Sequence, residues 1–148
     1  KAFKEQLDLA RQIDMPVVVH NREAHEDTLR VLKEFKGLRG VLHCYSGSLE
    51  LGKEFIKLGY SLGFTGVVTF KNAKKAVEVV QDIPLEYILV ETDCPYMAPH
   101  PHRGERNDSS LLPFIIQKIA EIKNISFEEA RDKTYKNAAE LFKLGFGK

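Results

Sequence analysis

The chain has 148 residues, of which 43% are hydrophobic and 29% are charged; this apolar content is enough for the core of one domain and excludes a wholly disordered protein. Lysine and arginine number 22 against 21 aspartate and glutamate, so the net charge of +1 gives no general attraction to nucleic acid or to an anionic membrane. No apolar run approaches the roughly 20 residues of a membrane-spanning helix, and two cysteines are too few for a disulfide framework, so we expect a soluble, cytoplasmic protein.

The first predicted elements are a helix, a strand and a second helix. Apolar residues at helical spacing predict a helix across residues 1–14, and because no capping residue precedes it, we expect the chain to be a piece of a longer protein. The β-branched run 17–19 then predicts a buried strand that ends at His20. An apolar stripe between residues 26 and 36, followed by Gly37, predicts the next helix.

The same pattern of strand and helix then recurs along the chain. Residues 40–42 form a second short apolar run that ends at His43, and Ser48 is placed to cap the helix that follows. Residues 60–70 predict a third strand, and Asn72 is placed to cap a fourth helix. The recurrence predicts successive βα units.

A fourth strand is predicted over residues 87–90. The four predicted strands begin at residues 16, 40, 60 and 87, a spacing that accommodates a strand, a loop and a crossover helix each time. Four such units in succession predict an α/β protein with a parallel sheet.

The amino-acid composition changes after the fourth predicted strand. A loop rich in proline, histidine and arginine covers residues 94–109, and two or three helices come after it. The first of these helices is centred near Ile115, and Ser126 is placed to cap the next. No linker or low-complexity tract divides the chain, so we expect residues 1–148 to form a single domain.

Three metal-competent side chains follow predicted strands, namely His20, His43 and Asp93. Active groups in parallel α/β folds gather at the carboxyl ends of the strands, because the loops there vary while the strands hold them rigidly. Two imidazoles and a carboxylate suit zinc and related ions, which make a bound water acidic enough to attack at neutral pH. A lone histidine at such a position is more often structural than a ligand. The matching position of all three favours a metal-dependent hydrolase.

Three arginines are candidates for binding substrate phosphate. Arg103 and Arg106 lie in the loop 98–107, and Arg22 follows His20 by two residues. A guanidinium offers a planar fork of donors to phosphate oxygens. The alternative is that these arginines pair with neighbouring carboxylates and fix the conformation of the loops.

Four strings in the sequence resemble the TatD family of metal-dependent deoxyribonucleases. They are Pro-Val-Val-Val-His-Asn-Arg-Glu-Ala at 16–24, His-Cys-Tyr-Ser-Gly at 43–47, Glu-Thr-Asp-Cys-Pro-Tyr-Met-Ala-Pro at 91–99 and Arg-Gly-Glu-Arg-Asn at 103–107. The similarity extends from end to end of the chain, and the Glu-Thr-Asp-Cys-Pro-Tyr string is the most specific part of it.

The resemblance implies a TIM-like (β/α)8 barrel with two divalent ions, Zn, Mg or Mn, at its mouth and hydrolysis of phosphodiester bonds in DNA as its activity. It implies that His20 and His43 are ligands of one ion, and that Asp93 binds the other ion and is the catalytic residue that orients or deprotonates the attacking water. It also implies that Arg22, Arg103 and Arg106 either hold substrate phosphates or brace the mouth of the barrel.

The sequence departs from the family pattern at its beginning. Family members start with a strand that bears a His-x-His pair, and a later strand supplies a glutamate that bridges the metals; neither precedes His20. We therefore expect the chain to be the C-terminal half of the barrel, with strands five to eight, and to have weak activity or none alone. The two edge strands of a half barrel would leave backbone hydrogen-bonding groups unpaired, so another chain segment must pair with them. The chain is then a fragment, or it pairs with a second copy or with a separate N-terminal half.

Two other functions remain open at this point. One is a non-catalytic half-barrel that pairs with a partner through its open edges. The other is a metallohydrolase that acts on a substrate other than DNA, because barrels of this type host many chemistries and the fold does not determine the reaction.

Overall fold

The computed structural model describes residues 1–145, which form a four-stranded sheet with helices between successive strands. The strands are β1 (Val17–His20), β2 (Gly40–His43), β3 (Tyr60–Phe64) and β4 (Ile88–Val90). The α-helices are α1 (Ala2–Gln12), α2 (His25–Lys33), α3 (Leu49–Lys57), α4 (Lys74–Asp82), α5 (Leu112–Lys123) and α6 (Phe127–Leu141). None of the α-helices within residues 1–145 combines the length and apolar composition needed to cross a bilayer.

The sheet confirms the predicted parallel α/β arrangement. All neighbouring strands are parallel and lie in chain order, β1-β2-β3-β4. The register places His20 beside His43, so both histidines lie on the same face of the sheet because side chains alternate between faces. This face, which also includes Gly63 and Leu89 of the next two strands, is called the site face below.

The opposite face of the sheet packs against the helices and forms the main core. One row of paired residues crosses all four strands there and is buried: Val19, Leu42, Leu62 and Ile88. The helices cover this row with apolar side chains that are also buried: Leu7, Leu32, Phe55, Val80, Ile115 and Ile119. The strands are therefore held rigidly from behind, and their carboxyl ends present their side chains from a fixed frame.

A second, smaller core lies on the site face, below the histidines. Leu141 at the end of α6 packs with Val41 of β2 and Leu89 of β4. The same helix is tied to the sheet by Asn137, whose amide donates hydrogen bonds to the carbonyl oxygens of Leu85, at 2.8 Å, and Ile88, at 2.9 Å. The end of α6 therefore covers part of the site face.

The third strand is shorter than predicted. The sequence prediction covered residues 60–70, but β3 ends at Phe64 and a 3-10 turn follows at Gly66–Thr69. The Thr65 hydroxyl caps this turn by accepting a hydrogen bond from the amide of Val67, at 3.4 Å. This capped turn ends the strand although the β-branched residues of the segment favour extension.

The predicted helix caps have mixed outcomes. Ser48 and Ser126 accept hydrogen bonds from the amides of Leu51 and Glu129, which confirms both as N-caps. The prediction for Asn72 was wrong, because α4 starts after Ala73 and no side chain caps it.

Asp14, in the turn between α1 and β1, connects distant parts of the chain. Its carboxylate pairs with Lys143, beyond the end of α6, and with Arg39, at 2.8 Å. Hydrogen bonds from Lys143 and then from Arg39 lower the pKa of Asp14 from 3.8 to about 2. A carboxyl group whose pKa falls on folding stabilises the protein above its unfolded pKa, and this contribution is lost as the pH falls towards about 2.

We expect Asp14→Asn to flatten the pH dependence of stability between about pH 4 and pH 2, since the group that gains a proton there is removed. Urea unfolding at pH 6, 4 and 2.5 measures this dependence. Glu78→Gln, in the exposed side of α4, is the control and should leave the slope as it is in the parent chain. A variant at position 14 with the parent slope would contradict the assignment.

Candidate functional site

A cavity of about 430 Å³ opens at the carboxyl ends of the strands. Its wall includes side chains that follow each of the four strands, and four of the predicted site residues are among them: His20, Arg22, His43 and Asp93. The structure therefore places the two histidines and the aspartate at one edge of the sheet, as predicted.

His20 and His43 end adjacent strands in register, and their ring centroids are 6.2 Å apart with the planes tilted by 35°. Two imidazoles that share a tetrahedral ion, each with its nitrogen at about 2 Å, have centroids about 5 Å apart. The two rings are thus within about 1 Å of the separation that a shared ion requires. His20 is exposed, and the side chain of His43 is 20% exposed.

His43 lies between two carboxylates. Its Nδ1 is 2.8 Å from Oε2 of Glu91, and its Nε2 is 3.1 Å from Oδ1 of Asp93. Burial lowers the pKa of His43, but the hydrogen bonds and charges of Glu91 and then of Asp93 outweigh burial and raise the pKa above 6.5. The pair of carboxylates makes this position attractive to a cation.

Glu91 contacts His43 although it follows β4, which is not adjacent to β2, the strand that ends at His43. β3 lies between β2 and β4, and Gly63 is the β3 residue over which the carboxylate passes. A Cβ at Gly63 would lie 2.6 Å from Oε1 of Glu91, so any other residue would occupy the space of the carboxylate. The other partner of Glu91 is the amide of Cys44, which donates a hydrogen bond to Oε1.

The site residues predicted from the sequence do not include Glu91. A signal was present. Glu91 and Asp93 are two residues apart in the Glu-Thr-Asp string that follows β4, and Glu91 has the same parity as Leu89, which lies on the site face.

The backbone around Asp93 is held in place by a buried amide. Asp93 has a positive φ of 54°, which turns the chain away from the strand. Asn107 is 2% exposed, and its amide donates hydrogen bonds to the carbonyl oxygens of Thr92, at 2.8 Å, and Tyr96, at 2.6 Å. These bonds fix the turn on either side of Asp93.

The predicted arginines separate into two groups. Arg22 is exposed and lines the cavity with the histidines. Arg103 lies on the later loop with its guanidinium carbon 4.4 Å from the ring centroid of Phe70, a cation-π contact, and it is not part of the cavity wall. Arg106 lies on the same loop beside Asp108, whose pKa is lowered mainly by hydrogen bonds from Ser110 and to a lesser extent by the Arg106 charge.

His20, His43 and Asp93 are chemically suited to bind a divalent ion, but their side chains do not form a complete coordination site. Within residues 1–145, no three histidine, cysteine, aspartate or glutamate side chains converge closely enough to hold an ion. His43 has both ring nitrogens engaged with carboxylates, so an ion would replace one of these contacts. Asp93, with a side chain that is 34% exposed, is the accessible partner.

Comparison with known proteins gives consistent results over almost the whole chain. Residues 1–143 match the family described as TatD related DNase. The uncharacterized metal-dependent hydrolase YabD of Bacillus subtilis is 44% identical over 97% of this chain and 57% of its own length. The uncharacterized metal-dependent hydrolase YcfH of Escherichia coli is 37% identical over 97% of this chain and 55% of its own. The chain therefore spans little more than half of these relatives.

Solved structures of TatD proteins have the same fold as this chain. YJJV, a TatD homolog from Escherichia coli, superposes with a TM-score of 0.88 at 31% identity, covering 95% of this chain and 54% of that one. A hydrolase TatD family protein from Entamoeba histolytica superposes with a TM-score of 0.83 at 24% identity, covering 95% and 55%. The second likeness concerns the fold alone.

Proposed function

Because this chain belongs to the TatD related DNase family, whose relatives are named metal-dependent hydrolases, we propose that it forms part of an enzyme that cleaves phosphodiester bonds in DNA. The observation that supports this most directly is the convergence of His20, His43 and Asp93 at one cavity. Metal-dependent hydrolysis requires that kind of donor set at a solvent-accessible position.

The architecture of the whole enzyme is the second part of the proposal. The four strands are strands five to eight of a TIM-like barrel, and the free side of β1 is where the remainder of the barrel pairs. Two observations support this. β1 pairs only with β2 among the described residues, and Val18 on the site face is 60% exposed although it is a strand valine. An N-terminal half, or a second copy of this chain, would cover both.

His20, His43 and Asp93 are the residues that would hold a divalent ion. When bound, such an ion supplies a Lewis acid and a water of lowered pKa. Asp93 accepts a proton from the attacking water at the cavity, and Arg22 donates hydrogen bonds to the phosphate oxygens of the substrate. Among residues 1–145 no three histidine, cysteine, aspartate or glutamate side chains converge closely enough to hold an ion, so further donors would come from the half that covers the site face.

We expect the purified chain to bind Zn²⁺ or Mn²⁺, and His20→Ala and His43→Ala each to weaken this binding by more than about 100-fold, since losing a ligand exceeds the effect of losing an outer partner. Isothermal titration calorimetry measures the affinity. His102→Ala is the matched control, because His102 pairs with Glu105 in a loop outside the cavity. Unchanged affinity in both site variants would exclude this ligand set.

The substrate is tested separately from the metal. The complete barrel, assembled from this chain and its complementary half, should cleave single-stranded DNA and bis(p-nitrophenyl) phosphate in the presence of the ion, while the chain alone should be weakly active or inactive. An amide substrate run alongside tests for a metallohydrolase of another class. Cleavage of amides without cleavage of either phosphodiester would overturn the proposal for DNA.

A further inference from the structure

The two carboxylates beside His43 are held in very different ways. Glu91 is engaged at both oxygens, with Oε1 accepting from the Cys44 amide and Oε2 lying 2.8 Å from Nδ1 of His43. The carboxylate also lies against Gly63, where a Cβ would be 2.6 Å from Oε1. Asp93 lies on a loop, its side chain is more exposed at 34%, and its contact with Nε2 of His43 is longer, at 3.1 Å.

This asymmetry gives the two nitrogens of His43 different roles. The contact at Nδ1 is part of the sheet, because the Glu91 carboxylate accepts a hydrogen bond from the amide of Cys44 and lies over Gly63, where a Cβ would collide with it. The contact at Nε2 faces the cavity through Asp93, a residue that lines the cavity wall. Nε2 is therefore the nitrogen that is free to exchange partners.

We infer that Glu91 is a positioning residue for His43, which keeps the proton on Nδ1 and presents Nε2 to the cavity as the nitrogen that binds metal. A histidine ligand commonly donates its second ring N–H to a carboxylate, and this fixes the tautomer and the orientation of the ring. The inference rests on the proposed metal site but adds an atom and a residue to it.

The arrangement also explains why Glu91 itself is not assigned as a ligand. Both of its oxygens are already engaged, Oε1 as acceptor of the Cys44 amide and Oε2 at 2.8 Å from Nδ1 of His43, and these partners are held by β2 and the residue after it. Binding an ion through Glu91 would break one of these bonds inside the sheet, whereas binding through Nε2 of His43 displaces only the exposed Asp93 contact.

The substitution Glu91→Gln tests this role with little change in size. A glutamine has one oxygen and one amino group, so it accepts from only one of the two donors and opposes the other with its own N–H. Nδ1 of His43 then loses its acceptor, or the Cys44 amide does. Gly63→Ala is a second variant that retains every charged site residue but displaces the Glu91 carboxylate, since its Cβ would lie 2.6 Å from Oε1.

The first measurement is the long-range ¹H–¹⁵N correlation spectrum of histidine-labelled protein without metal. We expect the parent chain to show a hydrogen-bonded, downfield Nδ1 proton on His43, and both variants to lose it. The second measurement is Zn²⁺ affinity by calorimetry, which should fall by about 10- to 100-fold in Glu91→Gln and in Gly63→Ala. Glu78→Gln is the control for charge and Gly145→Ala the control for glycine, since a Cβ at Gly145 meets open space.

The outcomes separate this inference from the proposed function. If the parent chain binds Zn²⁺ and both variants bind it equally well with the Nδ1 proton retained, the positioning role is wrong and the metal site stands. If Zn²⁺ does not bind to the parent chain or to the assembled barrel, the metal site is wrong. Circular dichroism spectra of the variants that match the parent spectrum show that neither result comes from unfolding.

Discussion

We expect Phe55→Ala to lower the free energy of unfolding by about 3–5 kcal/mol, which is the usual effect of deleting a buried aromatic ring. Phe55 of α3 has no exposed surface and belongs to the main core behind the sheet. Its ring meets Tyr45 edge to face, with centroids 6.3 Å apart and planes at 81°. The substitution removes this contact and leaves a cavity that the rigid strands cannot fill.

The effect of Phe55→Ala extends towards the site. Tyr45 comes two residues after His43, and its amide donates a hydrogen bond to the carbonyl oxygen of Gly63 at 2.9 Å. Urea denaturation followed by circular dichroism measures the stability, and calorimetry measures any loss of metal affinity. Phe55→Leu is the matched control, with most of the apolar volume retained and a smaller loss expected. A loss below 1 kcal/mol for the alanine variant would contradict this account of the core.

We expect Gly66→Ala to destabilise the protein by about 3 kcal/mol, at the upper end of the usual effect of overpacking. A Cβ at this position would lie 2.1 Å from the carbonyl oxygen of Met97 and 2.8 Å from the nitrogen of Pro99. Both are backbone atoms, so no side chain can move aside. The segment that contains Met97, whose side chain lines the cavity, must shift instead.

The same urea experiment measures the effect of Gly66→Ala, and the control is Gly145→Ala, which has open space around its new Cβ. Zn²⁺ affinity is expected to fall as well, because the displaced segment 97–99 begins only four residues after Asp93. If Gly66→Ala is as stable as Gly145→Ala, the close packing of the segment 97–99 on the turn at Gly66–Thr69 is wrong.

The parallel sheet was predictable from the sequence because its signals are local. Each strand is a short apolar run that ends at a polar residue, and the spacing between runs leaves room for one crossover helix. The extent of β3 was not predictable in the same way. Val67 and Val68 favour strand structure, but the contact of Gly66 with residues 97–99 and the cap from Thr65 determine the turn.

The site was predictable to a similar degree. His20 and His43 end neighbouring strands, and strand ends of equal phase meet at one edge of a parallel sheet. The role of Glu91 depends on Gly63, which lies in a different strand far back in the sequence. No local sequence pattern relates a glycine in one strand to a carboxylate that follows another strand, so this contact depends on the tertiary structure.

The small core formed by Leu141 with Val41 and Leu89 can form only after α6 has been synthesised, since Leu141 is the last residue of that helix. β2 and β4 leave the ribosome before α6, so Val41 and Leu89 lack the contact with Leu141 until that helix has been synthesised. Nascent chains at that stage are the form that chaperones and aggregation compete for. Slower translation just before α6 would prolong this vulnerable interval, and slower translation after α6 would not.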